Sequence, residues 1–173
     1  MCQDEFIASN SKSKERKPKT AAQALQSLMR LAARSEKSSG DAMRLMQRWE
    51  VPVAERRGVL EKLIESCFID DRRYAEAYVR EKSRLSGWGA RKIAMQLRQK
   101  GVSQAIIDEA LRQLDSNVEL PRLVDKLRRK IRTTKYTSDY ELRGKLMRYA
   151  LSLGFDYDIA QRAVEDSLEE QDL

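Results

Sequence analysis

The sequence predicts an all-α protein, an elongated tandem array of three three-helix repeats. Three observations carry that prediction. Apolar residues recur at helical spacing from Thr20 almost to the end, no segment sustains period-two alternation, and the helix-ending turns return about every 50 residues. Only three prolines and seven glycines punctuate the 173 residues.

Residues 1–20 are polar and end in Lys17-Pro18-Lys19-Thr20, a segment expected to form a flexible tail because it has little apolar surface to bury. The first repeat, 21–67, carries stripes at Leu25/Leu28/Met29/Ala32, Ala42/Leu45/Met46/Trp49 and Leu60/Leu63/Ile64/Cys67. The second, 68–117, carries Tyr74/Ala75/Tyr78/Val79, Ala90/Ile93/Ala94/Leu97 and Ile106/Ile107/Ala110/Leu111/Leu114. The third, 118–173, carries Leu120/Leu123/Val124/Leu127/Ile131, Leu142/Leu146/Met147/Ala150 and Ile159/Ala160/Ala163/Val164/Leu168, and closes on an acidic end. Nine helices of roughly 12 residues, about 18 Å each, are too short to stand alone and must be stabilised by packing.

The punctuation fits this division. Pro52 suits the first position of a helix, where no amide donor is needed. Gly101 suits a left-handed C-terminal cap, and Ser103 can cap the helix after it. Gly154 and Asp156 stand in the same relation, and Asp70 with Asp71 can accept from the free amides ahead of the Tyr74 stripe. Aligning Glu50-Val51 with Gly101-Val102 and Gly154-Phe155 also superposes Met46, Leu97 and Ala150, then Leu60, Leu111 and Val164. Matched turns with matched core positions are the signature of tandem modules.

Composition narrows the function. There are 34 Lys plus Arg, 27 Asp plus Glu and no histidine, a net charge of +7, with a pI near 9.5. Without histidine the commonest general base and metal ligand are missing. Cys2 and Cys67 alone make neither a disulfide framework nor a zinc cage, and Cys67 reads as a small core residue. No phosphate-binding glycine loop is present, since Gly87-Trp88-Gly89 lacks the rest of either pattern. No cofactor or metal is implied and no enzyme is expected. Neither a membrane span nor a signal peptide is apparent, so the cytoplasm is the expected compartment.

The charge is concentrated. Residues 70–148 hold 20 basic and 11 acidic side chains, a balance of +9, whereas residues 149–173 hold one basic and seven acidic. A polyanion or an acidic protein face is therefore the expected partner of the middle of the molecule. The candidate contacts are Arg72, Arg73, Arg80, Lys82 and Arg84 beside the tyrosine stripe, and Arg91, Lys92, Arg98 and Lys100 beside the Ile93 stripe. The densest run is Lys126, Arg128, Arg129, Lys130, Arg132 and Lys135, with Arg143, Lys145 and Arg148 following. Arginine suits phosphate and carboxylate through its planar fork. Trp88, Tyr136 and Tyr140 are expected in inter-helix turns, where a ring can stack on a base or pack the turn.

Residues 68–80, Phe-Ile-Asp-Asp-Arg-Arg-Tyr-Ala-Glu-Ala-Tyr-Val-Arg, followed by Gly89, Lys92-Ile93, Leu97 and Lys100-Gly101-Val102, resemble the central repeat of the RecX regulatory proteins of bacteria. The resemblance spans about residues 21–170 and is most specific in the middle repeat. Cys67 stands where a small residue, often glycine, is common. The resemblance implies curved triplets of three-helix modules that modulate RecA, usually as inhibitors, by binding in the groove of the RecA filament on DNA. It implies Asp70, Asp71, Tyr74, Ala75 and Gly101 as structural motif positions. The expected partners are the RecA recombinase filament and single- or double-stranded DNA, with a monomer docking through a concave basic face. The alternatives are a helix-turn-helix transcription regulator, which would prefer one duplex site, and a protein-binding scaffold indifferent to nucleic acid.

Overall fold

Thr20 starts the first helix. Its hydroxyl accepts from the Gln23 amide while the Gln23 side chain accepts from the Thr20 amide, a reciprocal capping box. The structure, a computed structural model, describes residues 18–169, and nine α-helices and no strand occur among them. Helices α1 (Ala21–Ala32), α2 (Ser39–Arg48) and α3 (Val53–Glu65) form module 1. Helices α4 (Asp71–Glu81), α5 (Ala90–Gln99) and α6 (Gln104–Leu111) form module 2, with a π-helical turn, Lys82–Ser86, extending α4. Helices α7 (Ser116–Ile131), α8 (Asp139–Ser152) and α9 (Tyr157–Glu169) form module 3.

Each module has its own core, because each amphipathic helix can bury its stripe only against its two neighbours. Leu28, Met46 and Leu63 centre the first core, Ile93, Leu97 and Ile107 the second, and Leu123, Leu127 and Leu146 the third. In every module the first helix packs on the third and the third on the second. Fully burying one such side chain stabilises by about 1.5–3 kcal/mol.

The repeat register read from the sequence reappears as backbone geometry. Glu50, Gly101 and Gly154 all have left-handed φ, at +54°, +80° and +91°. The amide after each reaches back into the helix: Val51 donates to the Met46 carbonyl, Val102 to Leu97 and Phe155 to Ala150, at 3.0, 3.1 and 3.4 Å. Val51, Val102 and Phe155 are buried, so each second helix ends in a left-handed cap locked by an apolar residue.

Several local expectations change. Of the tail, residues 1–17 lie outside the described residues, whereas residues 18–20 are fixed by the α1 cap and by Lys19, whose amide donates to the Trp49 carbonyl. Cys67 is exposed rather than buried, because it occupies a left-handed turn at φ +56° that points its side chain away from the core. Ile64 is likewise half exposed, and Val59 takes the core position on that helix instead. Pro52 is the N-cap of α3 rather than its first residue. Ser103 sits at the N-cap of α6 without a side-chain cap bond. Tyr140 lies inside α8 and is strongly exposed, and Trp88 packs against the cores of both module 2 and module 3.

Candidate anion-binding surface at the module joints

The modules meet through one device used twice. At joint 1, between modules 1 and 2, the N-terminus of α2 sits on the turn that ends α5. Ser38, the N-cap, accepts from the Asp41 amide and donates its own hydroxyl proton to the Lys100 carbonyl at 2.7 Å. At joint 2, the N-terminus of α5 sits on the turn that ends α8. There Gly89 and Arg91 donate their amides to the Leu153 and Gly154 carbonyls at 2.9 and 3.1 Å. Donors at one helix start thus satisfy carbonyls left over at another helix end. The fit is close: a Cβ on Gly40 would lie 2.2 Å from the Lys100 oxygen, and one on Gly154 would lie 2.3 Å from the Lys92 Cβ.

Charged side chains surround this backbone contact. At joint 1, Asp41 binds Arg44 at 2.7 Å and Lys100 at 3.2 Å, Arg44 also donates to the Gln99 carbonyl, and Arg73 reaches Glu36 at 2.7 Å. Burial works against the Asp41 carboxylate, but Arg44 and Lys100 outweigh it and hold its pKa below the ordinary value. Asp70 is the N-cap of α4, accepting from the Arg72 and Arg73 amides, as its motif position suggests. Asp71 reaches across the joint instead and accepts from the Ser39 amide at 2.7 Å. Tyr74 and Ala75 are buried in the module 2 core, and burial pushes the Tyr74 hydroxyl up to about 12.

Joint 2 gathers more cations than carboxylates, and of these cations Lys82 is paired with Glu81 at 2.7 Å. Lys92 donates to the Ser152 carbonyl at 3.1 Å, Lys126 donates to the Ser86 carbonyl, and Arg91 stands 3.7 Å from Asp156. Lys82 and Lys92 both stand over the Trp88 ring, at 5.7 and 4.7 Å from its centroid. Burial lowers the Lys126 pKa, and the charges of Lys92 and Arg129 lower it further, so three cations crowd one spot. On α7, Arg122, Lys126 and Arg129 follow the i, i+4, i+7 spacing of one helical face. Arg122 also joins Arg80 and Arg84 around a cleft of about 230 Å³ that holds Asp115 and Glu119, where burial raises the Glu119 pKa against the pull of Arg122. On the other side of Lys92, an open groove of about 1020 Å³ carries Arg91, Lys92 and Arg98 above an apolar floor of Met95, Leu111 and Leu151.

The cations singled out by sequence therefore divide. Arg73, Arg91, Lys92, Lys100 and Lys126 touch across joints, and Arg72 pairs with Glu109 within module 2. Arg80, Lys82, Arg84, Arg98 and Arg129 belong to the belt around joint 2. The dense α7 run spreads over several faces: Arg128 turns toward α9 and donates to the Asp166 carbonyl, Lys130 stands 5.4 Å from the Tyr149 ring centroid, and Arg132 and Lys135 are exposed at the helix end and the following turn. Charge density does not single out Arg122, although its place four residues before Lys126 is a usable signal. Glu36, Ser38, Asp41 and Arg44 carry no such signal, since their partners are remote in sequence.

Among the described residues no group of three or more potential ligands could hold a metal, and no helix is long and apolar enough to cross a membrane. The arrangement can bind anions through clustered guanidinium and ammonium groups, and the belt contains no nucleophile–base pair.

Comparison with known proteins adds to this geometry. Residues 70–111 match a family model described as "RecX, second three-helix domain", and residues 119–164 match "RecX, third three-helix domain". "Regulatory protein RecX" of Streptomyces lividans is 33% identical over 139 residues, 80% of this chain and 72% of that one. The protein of the same name from Clostridium botulinum (strain Eklund 17B / Type B) is 34% identical over 111 residues, which cover 63% of this chain and 51% of the relative. The match thus spans about half the length of the clostridial protein. The crystal structure of RecX from Lactobacillus salivarius superposes with a TM-score of 0.71 at 21% identity, covering 85% of this chain and 96% of that one, a likeness of fold.

Proposed function

The chain belongs to the RecX family of regulatory proteins, and from that premise we propose that it binds the groove of a RecA–DNA filament and inhibits the recombinase, with the cationic belt at joint 2 as its main contact. The observation that carries this reading is the crowding of Lys92, Lys126 and Arg129 around a partly buried site. Like charges held together at a joint raise the free energy of the unbound protein, and an arriving phosphate or carboxylate relieves that repulsion. Exposed Arg84 on the π-helical turn and Arg129 on α7 widen the belt on either side. A surface so arranged meets a backbone of phosphates without reading bases, so binding follows charge and falls steeply with salt. The helix-turn-helix reading would need base-edge contacts and a preferred duplex site, and the belt sits on a joint rather than on one projecting recognition helix.

The test is DNA-stimulated ATP hydrolysis by RecA with and without the protein at several salt concentrations. The Arg84→Glu/Arg129→Glu double variant is expected to lose inhibition about tenfold or more while its helical circular dichroism stays unchanged. Undiminished inhibition by that variant would remove the belt from the contact.

A further inference from the structure

Two residues of α8 are not accounted for by packing. Tyr140 stands at its second position and is 89% exposed, although so large a ring is normally sheltered. Gly144 stands inside the helix, where glycine costs stability relative to alanine. Gly40 and Gly154 are required by close contact across the joints. A Cβ on Gly144 would meet nothing nearer than Nη1 of Arg148 at 3.8 Å, and its φ is not left-handed. Tyr140 and Gly144 share one face of α8 with Arg143, Met147 and Arg148, at i, i+3, i+4, i+7 and i+8. Between that face and α9 runs an open groove of about 470 Å³, with Met147 and Val164 as its apolar lining. Sites for small ligands span roughly 300–1,000 Å³. The acids of the groove are occupied: Glu141 pairs with Lys145 at 2.6 Å and accepts from the Thr137 hydroxyl, and Glu165 accepts from the Gln161 side chain at 3.0 Å. Arg143 and Arg148 are exposed and have no ion pair or side-chain hydrogen bond among the described residues.

We propose that this groove takes a base of a single-stranded nucleic acid, stacked on the Tyr140 ring in the space left by Gly144, with Arg143 and Arg148 on the adjoining phosphates. An exposed ring offers its π-face to any base, so the contact tolerates sequence. A flat base can lie close against a helix only where no side chain projects, and that is the room a glycine gives. Guanidinium groups without an internal acid suit the phosphates on either side of the base. In a duplex the bases are stacked on one another and closed to the ring, so the occupant is a single strand. The groove is also separate from the belt. Tyr140 lies at the end of α8 away from joint 2, about 20 Å along the helix from the Leu153 turn.

The experiment measures filter binding of the full chain to an oligothymidylate of about 20 nucleotides and to an abasic strand of the same length. No recombinase is present, so the outcome is independent of inhibition. The unsubstituted chain is expected to bind the oligothymidylate about tenfold more tightly than the abasic strand. Tyr140→Ala removes the ring and Gly144→Leu fills the space beside it. Each should bring the two affinities within about twofold while leaving that for the abasic strand as it was. Tyr140→Phe keeps the ring, and Gly58→Leu fills an equally open position in α3, so both should retain the preference. Binding to neither strand, or equal affinity of the unsubstituted chain for the two, would overturn the proposal. So would a full preference surviving in Tyr140→Ala or Gly144→Leu, or its loss in Tyr140→Phe or Gly58→Leu. Should Gly144→Leu lose helical circular dichroism, Tyr140→Ala decides alone, since so exposed a ring can be removed without disturbing the core.

Discussion

Joint 1 and joint 2 share a backbone geometry and differ in how side chains secure it. Joint 1 places three carboxylates, Glu36, Asp41 and Asp71, among Arg44, Arg73, Lys100 and the Ser39 amide. Joint 2 uses amide-to-carbonyl bonds, two lysine-to-carbonyl bonds and the indole of Trp88 shared between two cores; the ion pair that crosses it among the described residues is the long Arg91–Asp156 approach, while Lys82 pairs with Glu81 on its own side. The difference teaches that one docking motif can be secured by balanced charge or by neutral contacts. Only the second choice leaves cations over for a partner. A joint closed by matched ion pairs has its positive charge already answered, which is why the candidate surface lies at joint 2.

The largest expected effect breaks the joints at their closest points. Gly154→Ala combines a left-handed φ of +91° with a Cβ only 2.3 Å from that of Lys92, and should cost about 3 kcal/mol in denaturant unfolding. Gly101→Ala meets its nearest atom at 2.9 Å, so about 2 kcal/mol is expected. If the order were reversed, joint 2 would not be the tighter of the two.

Next in size is the contrast in charge. Lys126→Met removes the crowded cation, so nucleic-acid affinity should fall and the salt slope of log K should drop by about 1. Stability should change by less than about 1 kcal/mol, because the lost bond to the Ser86 carbonyl is offset by relief of repulsion. Filter binding at several salt concentrations, with thermal unfolding as the control, checks both halves.

Acid should separate the joints as well. The folded pKa of Asp41 lies below its ordinary value of 3.8, so its stabilising contribution is complete above that value and disappears as pH falls through the lowered one. The amide bonds that hold joint 2 do not titrate. Hydrogen exchange below pH 4 is therefore expected to rise at the N-terminus of α2 before that of α5, and Asp41→Asn, costing about 1 kcal/mol, should abolish the difference. The smallest effect is a gain. Glu50 holds φ +54° where the other two modules have glycine, so Glu50→Gly should stabilise by roughly 0.5–1 kcal/mol in thermal unfolding, relief of strain exceeding the added chain entropy.

The helices, their grouping in threes and the family resemblance were legible in the chain because they rest on local spacing. In the second core the period holds throughout: Ile93, Leu97 and Ile107 are all buried where it places them. The third helix of module 1 is the exception, where Ile64 and Cys67 turn outward and Val59 fills the core. The left-handed turns at Gly101 and Gly154 were legible too, since a glycine followed by an apolar residue is a local code, whereas the one at Cys67 was not. The fate of each cation was not. Lys100 meets a carboxylate 59 residues away, Lys92 a carbonyl 60 away and Arg73 a glutamate 37 away. Those distances in sequence are closed only when modules dock.

By itself the sequence determined that this chain makes three helical modules with an excess of positive charge in the middle, because periodicity, caps and net charge are properties of neighbouring residues. Only the tertiary structure decided which of those charges are answered inside a joint and which remain at joint 2. It also decided that Cys67 faces solvent and that Lys19 closes the first turn. A salt bridge or a backbone bond depends on atoms within a few ångströms, and that proximity is set by how helix ends dock on one another.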